Sequence, residues 1–228
     1  MSSAAARRER DSEAAQLAIL DAAEVAFAEN GFDGARIDAI AEASGYNKSL
    51  IFHYFGDKLG LYAEVLRRAD REMTALQVQV LAPLLTDETI ATNARAFKAL
   101  LEKIVGILFD TLVEHPLLMR MLVWEQAEGW QTYAKIIAQF NTEDTEPFEV
   151  LFRKARSAGL LRSGFDTLIQ LTMVLQICLS YLTFIPLYQM VLHPGEDLFS
   201  AAALARAREY IVAFVVHGMM IDLPETKP

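Results

Sequence analysis

The chain has 228 residues, enough for one large or two modest domains, and its 11 glycines and 7 prolines favour long helices over a turn-rich β architecture. The formal net charge of −9 excludes a strongly basic molecule, so any binding to nucleic acid must depend on a local surface. The single cysteine, Cys178, excludes an intramolecular disulfide and fits a reducing, cytoplasmic environment.

The N-terminal residues predict a short polar arm and then a first helix. Residues 1–11 are polar and carry arginines but contain no apolar core segment, so we expect a disordered arm and not a secretory signal. Ser12 is the expected N-cap of a helix that ends at Asn30-Gly31. The apolar stripe of this helix consists of Ile19, Leu20, Ala23 and Phe27.

Two short helices are expected next, at Ile37–Ser44 and Lys48–Tyr54, and their spacing predicts a helix-turn-helix. Ala41, Gly45 and Ile51 form the pattern Ala-x3-Gly-x5-Ile. Such a motif needs a small residue where the helices cross, glycine where the turn requires positive φ, and an apolar residue on the inner side of the second helix. The alternative interpretation is two ordinary packed helices joined by a glycine turn.

Residues Gly45–Lys58 form a dense motif, Gly-Tyr-Asn-Lys-Ser-Leu-Ile-Phe-His-Tyr-Phe-Gly-Asp-Lys. Together with the preceding helices, this motif resembles the N-terminal domain of the TetR family of transcription regulators, with its block G-V-S-x-G-x-[LI]-[YF]-x-[HY]-F-x-x-K. The resemblance covers about the first quarter of the chain. It implies an all-α fold, with a three-helix helix-turn-helix domain over residues 12–58 and a helical ligand-binding and dimerisation domain over residues 59–228.

Three positions depart from the family pattern. Arg36 stands near a position where many members have threonine, so a guanidinium replaces a capping hydroxyl. Ser49 replaces a common glycine, and Leu50 stands where a small hydroxyl residue is common. Leu50 is able to contact a thymine methyl group but cannot hydrogen-bond a base edge. The operator sequence therefore cannot be taken from a relative.

The resemblance places the helix Lys48–Tyr54 in the major groove, where its N-terminal end favours phosphates and base acceptors. Lys48 is expected to reach a phosphate or a guanine edge, and Phe52 a sugar or a thymine methyl group. The alternatives are packing between helices for the aromatic residues and a solvated side chain without a role for the charged ones. The expected DNA-binding residues are Arg36, Asn47, Lys48, Ser49, Leu50, Phe52, His53, Tyr54 and Lys58.

Apolar periodicity continues beyond the motif and predicts about nine helices in the whole chain. A connecting helix is expected from Asp57 to about Leu81, with Pro83 marking its end. The later helical segments are expected at Thr89–His115, Leu117–Ala127, Trp130–Ala158 (a pair), Asp166–Leu192 and Asp197–Ile221.

The segment Thr167–Leu192 contains no Asp, Glu, Lys or Arg. Its length leaves a membrane-associated helix open as an alternative, although polar residues and Pro186 interrupt it. A helix that is apolar on all sides must be buried on all sides, so we predict a homodimer through this helix and the last one, without a membrane. The expected dimerisation residues are Leu168, Leu171, Leu175, Leu179, Leu182, Ala207, Ile211, Phe214, Val215 and Gly218.

Methionines and aromatic residues in the middle helices suit either an apolar pocket or an ordinary core. The family resemblance favours a pocket for a small, largely apolar effector that releases the dimer from a palindromic operator. The expected ligand-binding residues are Phe109, Met119, Trp124, Trp130, Met173, Gln176 and Tyr181.

Sequence motifs for catalysis are lacking. The four histidines are far apart, and no HExxH, GxSxG or phosphate-loop motif occurs, so we expect no enzyme activity, cofactor or metal. Two alternatives remain besides the membrane-associated protein. One is a helix-turn-helix regulator without a small-molecule ligand, whose C-terminal domain binds a protein or organises DNA. The other is a helical enzyme or lipid carrier.

Overall fold

The computed structural model describes residues 3–69, 71, 89–137, 146–162, 164 and 166–221. These residues are helical apart from turns, a 3-10 turn at Ile90–Thr92 and one antiparallel bridge between Leu161 and Met220. The expected end of the connecting helix near Leu81 and Pro83 lies outside the described residues. The helices are α1 (Ser3–Gly34), α2 (Ile37–Ser44), α3 (Lys48–Phe55), α4 (58–69), α5 (Ala94–Glu114), α6 (Pro116–Ala127), α7 (Gln131–Ile137), α8 (Glu146–Ser157), α9 (Thr167–Val191) and α10 (Ala201–Met219).

The chain divides into two compact units. Unit 1 comprises Met1–Thr74 and His115–Phe140, and unit 2 comprises Ala75–Glu114 and Asn141–Pro228. This division differs from the expected boundary at residue 58, because α4, α6 and α7 also belong to unit 1.

The start of α1 corrects the expectation of a disordered arm. The helix begins at Ser3 and includes residues 3–11, where Ala4–Ala6 have the highest helix propensity and no breaker intervenes. Ser12 is therefore inside the helix and not its N-cap. The end of the regular helix is as predicted, because Gly31 follows Asn30 with φ 69° and ψ 178°.

The helix-turn-helix is confirmed to within one residue at each helix boundary. Gly45 has φ 76° and ends α2 in the left-handed conformation, and the Asn47 side chain caps α3 by accepting a hydrogen bond from Leu50 N at 2.9 Å. Ile40 and Ile51 are both 0% exposed and pack with the apolar stripe of α1. The inner side of both helices is thus fixed, and their other sides face solvent.

A buried carboxylate connects three helices of unit 1. Glu125 on α6 is 1% exposed. Its Oε1 accepts a hydrogen bond from the Tyr62 hydroxyl of α4 at 2.8 Å, and its Oε2 accepts one from the backbone N–H of Tyr133 on α7 at 2.9 Å. Burial and then the bond to Glu125 raise the pKa of Tyr62, so the phenol stays protonated and keeps donating. This network joins α4, α6 and α7.

The contact between α6 and α1 explains why α6 belongs to unit 1. Trp124 donates a hydrogen bond from Nε1 to the carbonyl of Ala28 at 3.2 Å. A Cβ atom on Gly31 would lie 3.1 Å from the Trp124 ring, so the bare glycine lets the indole approach the end of α1 closely.

Unit 2 is built around α5, whose apolar residues pack against α8, α9 and α10. Arg208 of α10 donates from Nε to both carboxylate oxygens of Asp110, at 2.7 and 3.0 Å. A Cβ atom on Gly106 would lie 2.2 Å from Arg208 Nη2, so glycine leaves the space for this guanidinium. The close approach of α10 to α5 therefore depends on a glycine inside a helix.

The starts of α9 and α10 are set by side-chain caps. Asp166 accepts from Leu168 N at 2.9 Å, close to the expected start of α9. The last helix begins at Ala201 and not at the expected Asp197, because Ser200 accepts from Ala203 N and serves as its N-cap. In the described part of the chain, α9 is the helix that is long and apolar enough to cross a membrane, by length and composition only.

Candidate nucleic-acid interface

One side of α3 is exposed and carries four of the predicted DNA-binding residues. Lys48, Ser49, Phe52 and His53 face solvent, while Ile51 is buried. At 3.6 residues per turn these four positions fall within an arc of about 140° around the helix, so the four form one continuous surface. Phe52 is 43% exposed, which is unusual for a large aromatic residue and leaves its ring free to contact a partner.

The N-terminal end of α3 is open to an anion or a base acceptor. Asn47 and Ser49 are exposed there, and Leu50 is half-buried. The Asn47 side chain satisfies the backbone N–H of Leu50, and a helix N-terminus has further N–H groups that lack acceptors within the helix. These donors and the positive end of the helix dipole favour a phosphate or a carbonyl oxygen.

Two charged residues at the start of α2, Arg36 and Asp38, are also exposed. Arg36 is exposed at the N-cap position of α2 without a side-chain capping bond, so its guanidinium is directed to solvent. Asp38 in the first turn of α2 forms an ion pair with Lys48 at the start of α3. Lys48 is therefore balanced by a carboxylate on the neighbouring helix.

The predicted contacts of Tyr54 and Lys58 have intramolecular partners. The Tyr54 hydroxyl accepts a hydrogen bond from Ser12 at 3.1 Å, and its half-buried ring packs against the core of unit 1. Lys58 donates from Nζ to the carbonyl of Asp33 at 3.1 Å and lies 4.9 Å from the centre of the Phe32 ring. These contacts favour the packing alternative for Tyr54 and give Lys58 a role in joining α4 to the end of α1.

Several of these partners have no local sequence signal. The contacts Ser12–Tyr54 and Lys58–Asp33 span 42 and 25 residues, so periodicity and capping rules do not predict them. Asp57 does have a local signal, because its Oδ1 accepts from the N–H of Gly60 at 2.7 Å, as expected of a residue at a helix start.

The residues of the predicted dimerisation stripe differ in how far they are buried within the single chain. Four of its residues are buried in the core of their own chain: Leu179, Leu182, Ile211 and Val215. Leu171, Leu175 and Ala207 are half-buried, and Leu168, Phe214 and Gly218 are exposed. The part of the predicted stripe that is buried thus faces the core of unit 2.

The side chains that α9 and α10 present to solvent form a set that shares only part of the predicted stripe, and we call this set the outer face. On α10, the rings of Tyr210 and Phe214 stack with centroids 6.4 Å apart, and with Ala213, His217 and Gly218 they line a shallow groove. The α9 residues of the outer face are 46–77% exposed: Ile169, Met173, Phe184, Leu187, Met190 and Val191.

The predicted ligand-binding residues are divided between the two units. Met119, Trp124 and Trp130 belong to unit 1, whereas Phe109, Met173, Gln176 and Tyr181 belong to unit 2. Trp124 packs on α1, and Met173 lies on the outer face. The seven residues therefore do not form one site within either unit. Phe109 and Tyr181 do lie together, with ring centroids 6.3 Å apart.

The remaining groups are the metal-ligating residue types and the single cysteine. Within the described ranges, no group of three or more His, Cys, Asp or Glu residues is placed to hold a metal ion. Cys178 is fully buried, and this burial raises the pKa of its thiol to about 11, which keeps it protonated and unreactive.

Two family sequence models match the chain. Residues 19–65 match the model described as "Bacterial regulatory proteins, tetR family", which includes the whole helix-turn-helix. Residues 98–215 match "Tetracyclin repressor-like, C-terminal domain", and this second match alone covers more than half of the chain.

Relatives and solved structures agree with these matches. The transcriptional repressor SCO4008 of Streptomyces coelicolor is 36% identical over 140 residues, covering 57% of this chain and 64% of the relative. The regulator RutR of Escherichia coli is 42% identical over 62 residues, covering 27% of this chain and 29% of the relative. The chain thus matches less than two thirds of the length of either curated relative.

Solved structures match over a larger share of the chain. SCO4942 of Streptomyces coelicolor superposes with a TM-score of 0.57 at 27% identity, covering 89% of this chain and 97% of that one. A structure from Shewanella superposes with a TM-score of 0.62 at 16% identity, covering 91% and 99%, and shows the same fold. The chain belongs to the TetR family of bacterial regulatory proteins.

Proposed function

We propose that this protein is a cytoplasmic transcriptional repressor that binds a palindromic DNA operator as a homodimer and is released by a small, largely apolar effector. The observation that carries the proposal is the exposed side of α3, with Lys48, Ser49, Phe52 and His53 together, inside a segment that matches the TetR family. The relative SCO4008 is named an HTH-type transcriptional repressor, which supports repression over activation.

The chemistry of α3 suits DNA recognition in the major groove. Lys48 donates hydrogen bonds and is able to bind a phosphate or the N7 and O6 acceptors of guanine. Phe52 offers an apolar surface to a thymine methyl group or a sugar, and His53 offers a donor to a phosphate. Because the cations at this surface are few and partly paired, we expect a specific complex that neutralises few phosphates per subunit.

The outer face of α9 and α10 supports a homodimer. A short recognition helix contacts only a few base pairs, and two copies related by a two-fold axis recognise a palindrome. Contiguous exposed apolar side chains mark a surface that another molecule covers. The C-terminal family match includes α9, which favours a subunit interface over a membrane span for this helix.

The effector belongs in unit 2, where aromatic rings cluster beside α9. Tyr181 lies 6.3 Å from Phe109 and 6.2 Å from Tyr188, measured between ring centroids. Burial, followed by the neighbouring Tyr188, raises the pKa of Tyr181, so its hydroxyl stays a neutral donor. Such a cluster suits an apolar or aromatic compound, whose differential affinity for two conformations shifts the population away from operator binding.

The experiment is selection of fragments from the source genome by the purified protein, with gel-shift measurement on the enriched sequence. We expect a palindrome that is bound in preference to random competitor. Lys48→Ala should abolish retention without loss of helicity. The matched control is Lys98→Ala, because Lys98 of α5 is also 50% exposed and also forms an exposed ion pair, with Glu102.

One outcome contradicts the proposal. In it, the protein shows no preference for any sequence over random DNA at low ionic strength, with or without candidate compounds. Thermal-shift screening with apolar and aromatic compounds tests the effector separately. If the protein binds an operator but no compound changes its melting or its DNA affinity, the effector part is wrong and a ligand-independent regulator is supported instead.

A further inference from the structure

The ion pair between Asp38 and Lys48 includes a residue of the proposed DNA surface. Asp38 is in the first turn of α2, and Lys48 is the first residue of α3. Their side chains are 61% and 50% exposed, so the pair stands in solvent and not in the core. Lys48 is the only Lys or Arg on α3, and α3 contains no Asp or Glu.

An ammonium group beside a carboxylate discriminates between two kinds of DNA acceptor. The pair has no net charge, so it attracts an anionic phosphate weakly, and a phosphate that reached Lys48 would also meet the negative charge of Asp38. A guanine edge offers neutral acceptors that a carboxylate does not repel in this way. Lys48 has three N–H donors, so it is able to keep its bond to Asp38 and still donate to a base.

We propose that Asp38 is a positioning residue that directs Lys48 to a base edge and withholds it from phosphates. This inference depends on the proposed function, since it concerns how the same surface distinguishes an operator from other DNA. On random DNA the pair stays intact and Lys48 contributes little. On the operator the pair also stays intact, and the remaining donors of Lys48 bind a guanine.

The test compares Asp38→Asn with wild type on the selected operator and on a random duplex. The variant leaves Lys48 with an unbalanced charge, so affinity for random DNA should rise about two- to five-fold per subunit, the range expected of an exposed ion pair. The salt dependence of random binding should steepen by about 0.9 in log–log slope for each phosphate newly neutralised. Operator affinity should stay within about two-fold of wild type, so discrimination falls.

The matched control is Glu42→Gln, which removes one negative charge from the same helix. Glu42 is exposed and makes no ion pair with any residue in the described ranges. Asp38→Glu should restore wild-type discrimination, because it returns a carboxylate to the pair. The negative charge of Asp38 in the first turn also stabilises α2 through the helix dipole. The thermal midpoint of each variant is therefore measured, and DNA binding is compared at a temperature well below the lowest midpoint.

Two further readouts separate positioning from simple repulsion. In repeated sequence selection, Asp38→Asn should lose preference for a guanine at one position per half-site, and Glu42→Gln should keep it. In a Lys48→Ala background, Asp38→Asn should change random binding no more than Glu42→Gln does. If Asp38→Asn strengthens operator binding as much as random binding, or behaves like Glu42→Gln throughout, the inference is wrong. A wild-type protein that selects no sequence contradicts the proposed function itself, which is a different result.

Discussion

The two units differ most in the apolar surface that they leave in water. Among the described residues, unit 1 exposes four large apolar side chains, Leu17, Val25, Phe52 and Trp124, whereas unit 2 exposes twelve, most of them on α9 and α10. Unit 1 closes its own core with glycine turns and with polar contacts such as Tyr62–Glu125. This difference supports the proposal that a second copy of the chain covers the exposed apolar side chains of unit 2.

The largest expected effect comes from placing a charge on the outer face. Phe214→Glu should raise the dimer dissociation constant about 100-fold or more, because in the proposed symmetric interface the change removes an aromatic side chain twice and introduces two carboxylates. Light scattering at micromolar concentration should then give a monomer mass, and operator binding should fall with it.

The matched control for this change lies in unit 1. Leu17 is 55% exposed and Phe214 is 59% exposed, so Leu17→Glu makes the same kind of change on a surface that we do not assign to dimerisation. The proposed dimerisation surface on unit 2 is contradicted if the wild-type protein is already monomeric or if the Phe214→Glu protein stays dimeric.

The next largest effect concerns the buried hydrogen bonds of Glu125, which join three helices of unit 1. Glu125→Ala leaves the Tyr62 hydroxyl and the Tyr133 N–H without their acceptor in a buried site, and we expect a loss of about 2–4 kcal/mol in the free energy of unfolding. Urea unfolding measures this loss. Gln126→Ala is the control, because Gln126 is the exposed neighbour on the same helix and its loss should cost little. Equal midpoints for the two variants would mean that the network does not stabilise unit 1.

Local rules predicted the helix-turn-helix because each boundary there has a residue-specific cause. Gly45 and Asn47 set the turn and the cap, and Ile51 sets the inner side. The same rules failed at the N-terminus, where Ser12 suggested a cap but the preceding alanines continue the helix.

Periodicity did not decide which side of α9 faces the core of unit 2, for a different physical reason. Because α9 is apolar on almost every side, spacing alone does not decide which side faces the core of its own chain. The stripe through Leu179 and Leu182 is buried, and the side with Ile169 and Leu187 is exposed. Contacts between distant residues, such as Trp124 on Ala28 and Asp38 with Lys48, depend on how the helices pack, which no local pattern encodes.

A smaller effect concerns the packing of α10 on α5 in unit 2. Gly106→Ala improves helix propensity by about 1 kcal/mol but forces the Arg208 guanidinium away from Asp110. The gain should therefore be cancelled in the wild type and recovered in an Arg208→Ala background. Urea unfolding of the four proteins in this double-mutant cycle should give a coupling of about 1 kcal/mol. Additive effects would show that Arg208 does not constrain the contact between α10 and α5 at Gly106.

The smallest expected effect concerns the charge of Glu128 and its contribution to the stability of unit 1. Burial, then the charges of Asp33 and Glu125, raise the pKa of Glu128 above 4.5, and Lys58 only partly offsets them. A carboxyl whose pKa is higher in the folded state holds its proton more tightly there, so its stabilising contribution is complete below pH 4.5 and is lost as the pH rises through the raised pKa. At neutral pH Glu128 therefore opposes folding.

Glu128→Gln should accordingly raise the thermal midpoint at pH 7 and have no such benefit below pH 4.5, with a shift smaller than any described above. Thermal unfolding followed by circular dichroism between pH 4 and pH 8 measures the difference, and Glu114→Gln at the end of α5 is an exposed control in unit 2. If Glu128→Gln lowers the midpoint at pH 7, the carboxylate stabilises unit 1 through a contact with a cation such as Lys58. In that case the stability of unit 1 depends on charge pairing as well as on its buried hydrogen bonds.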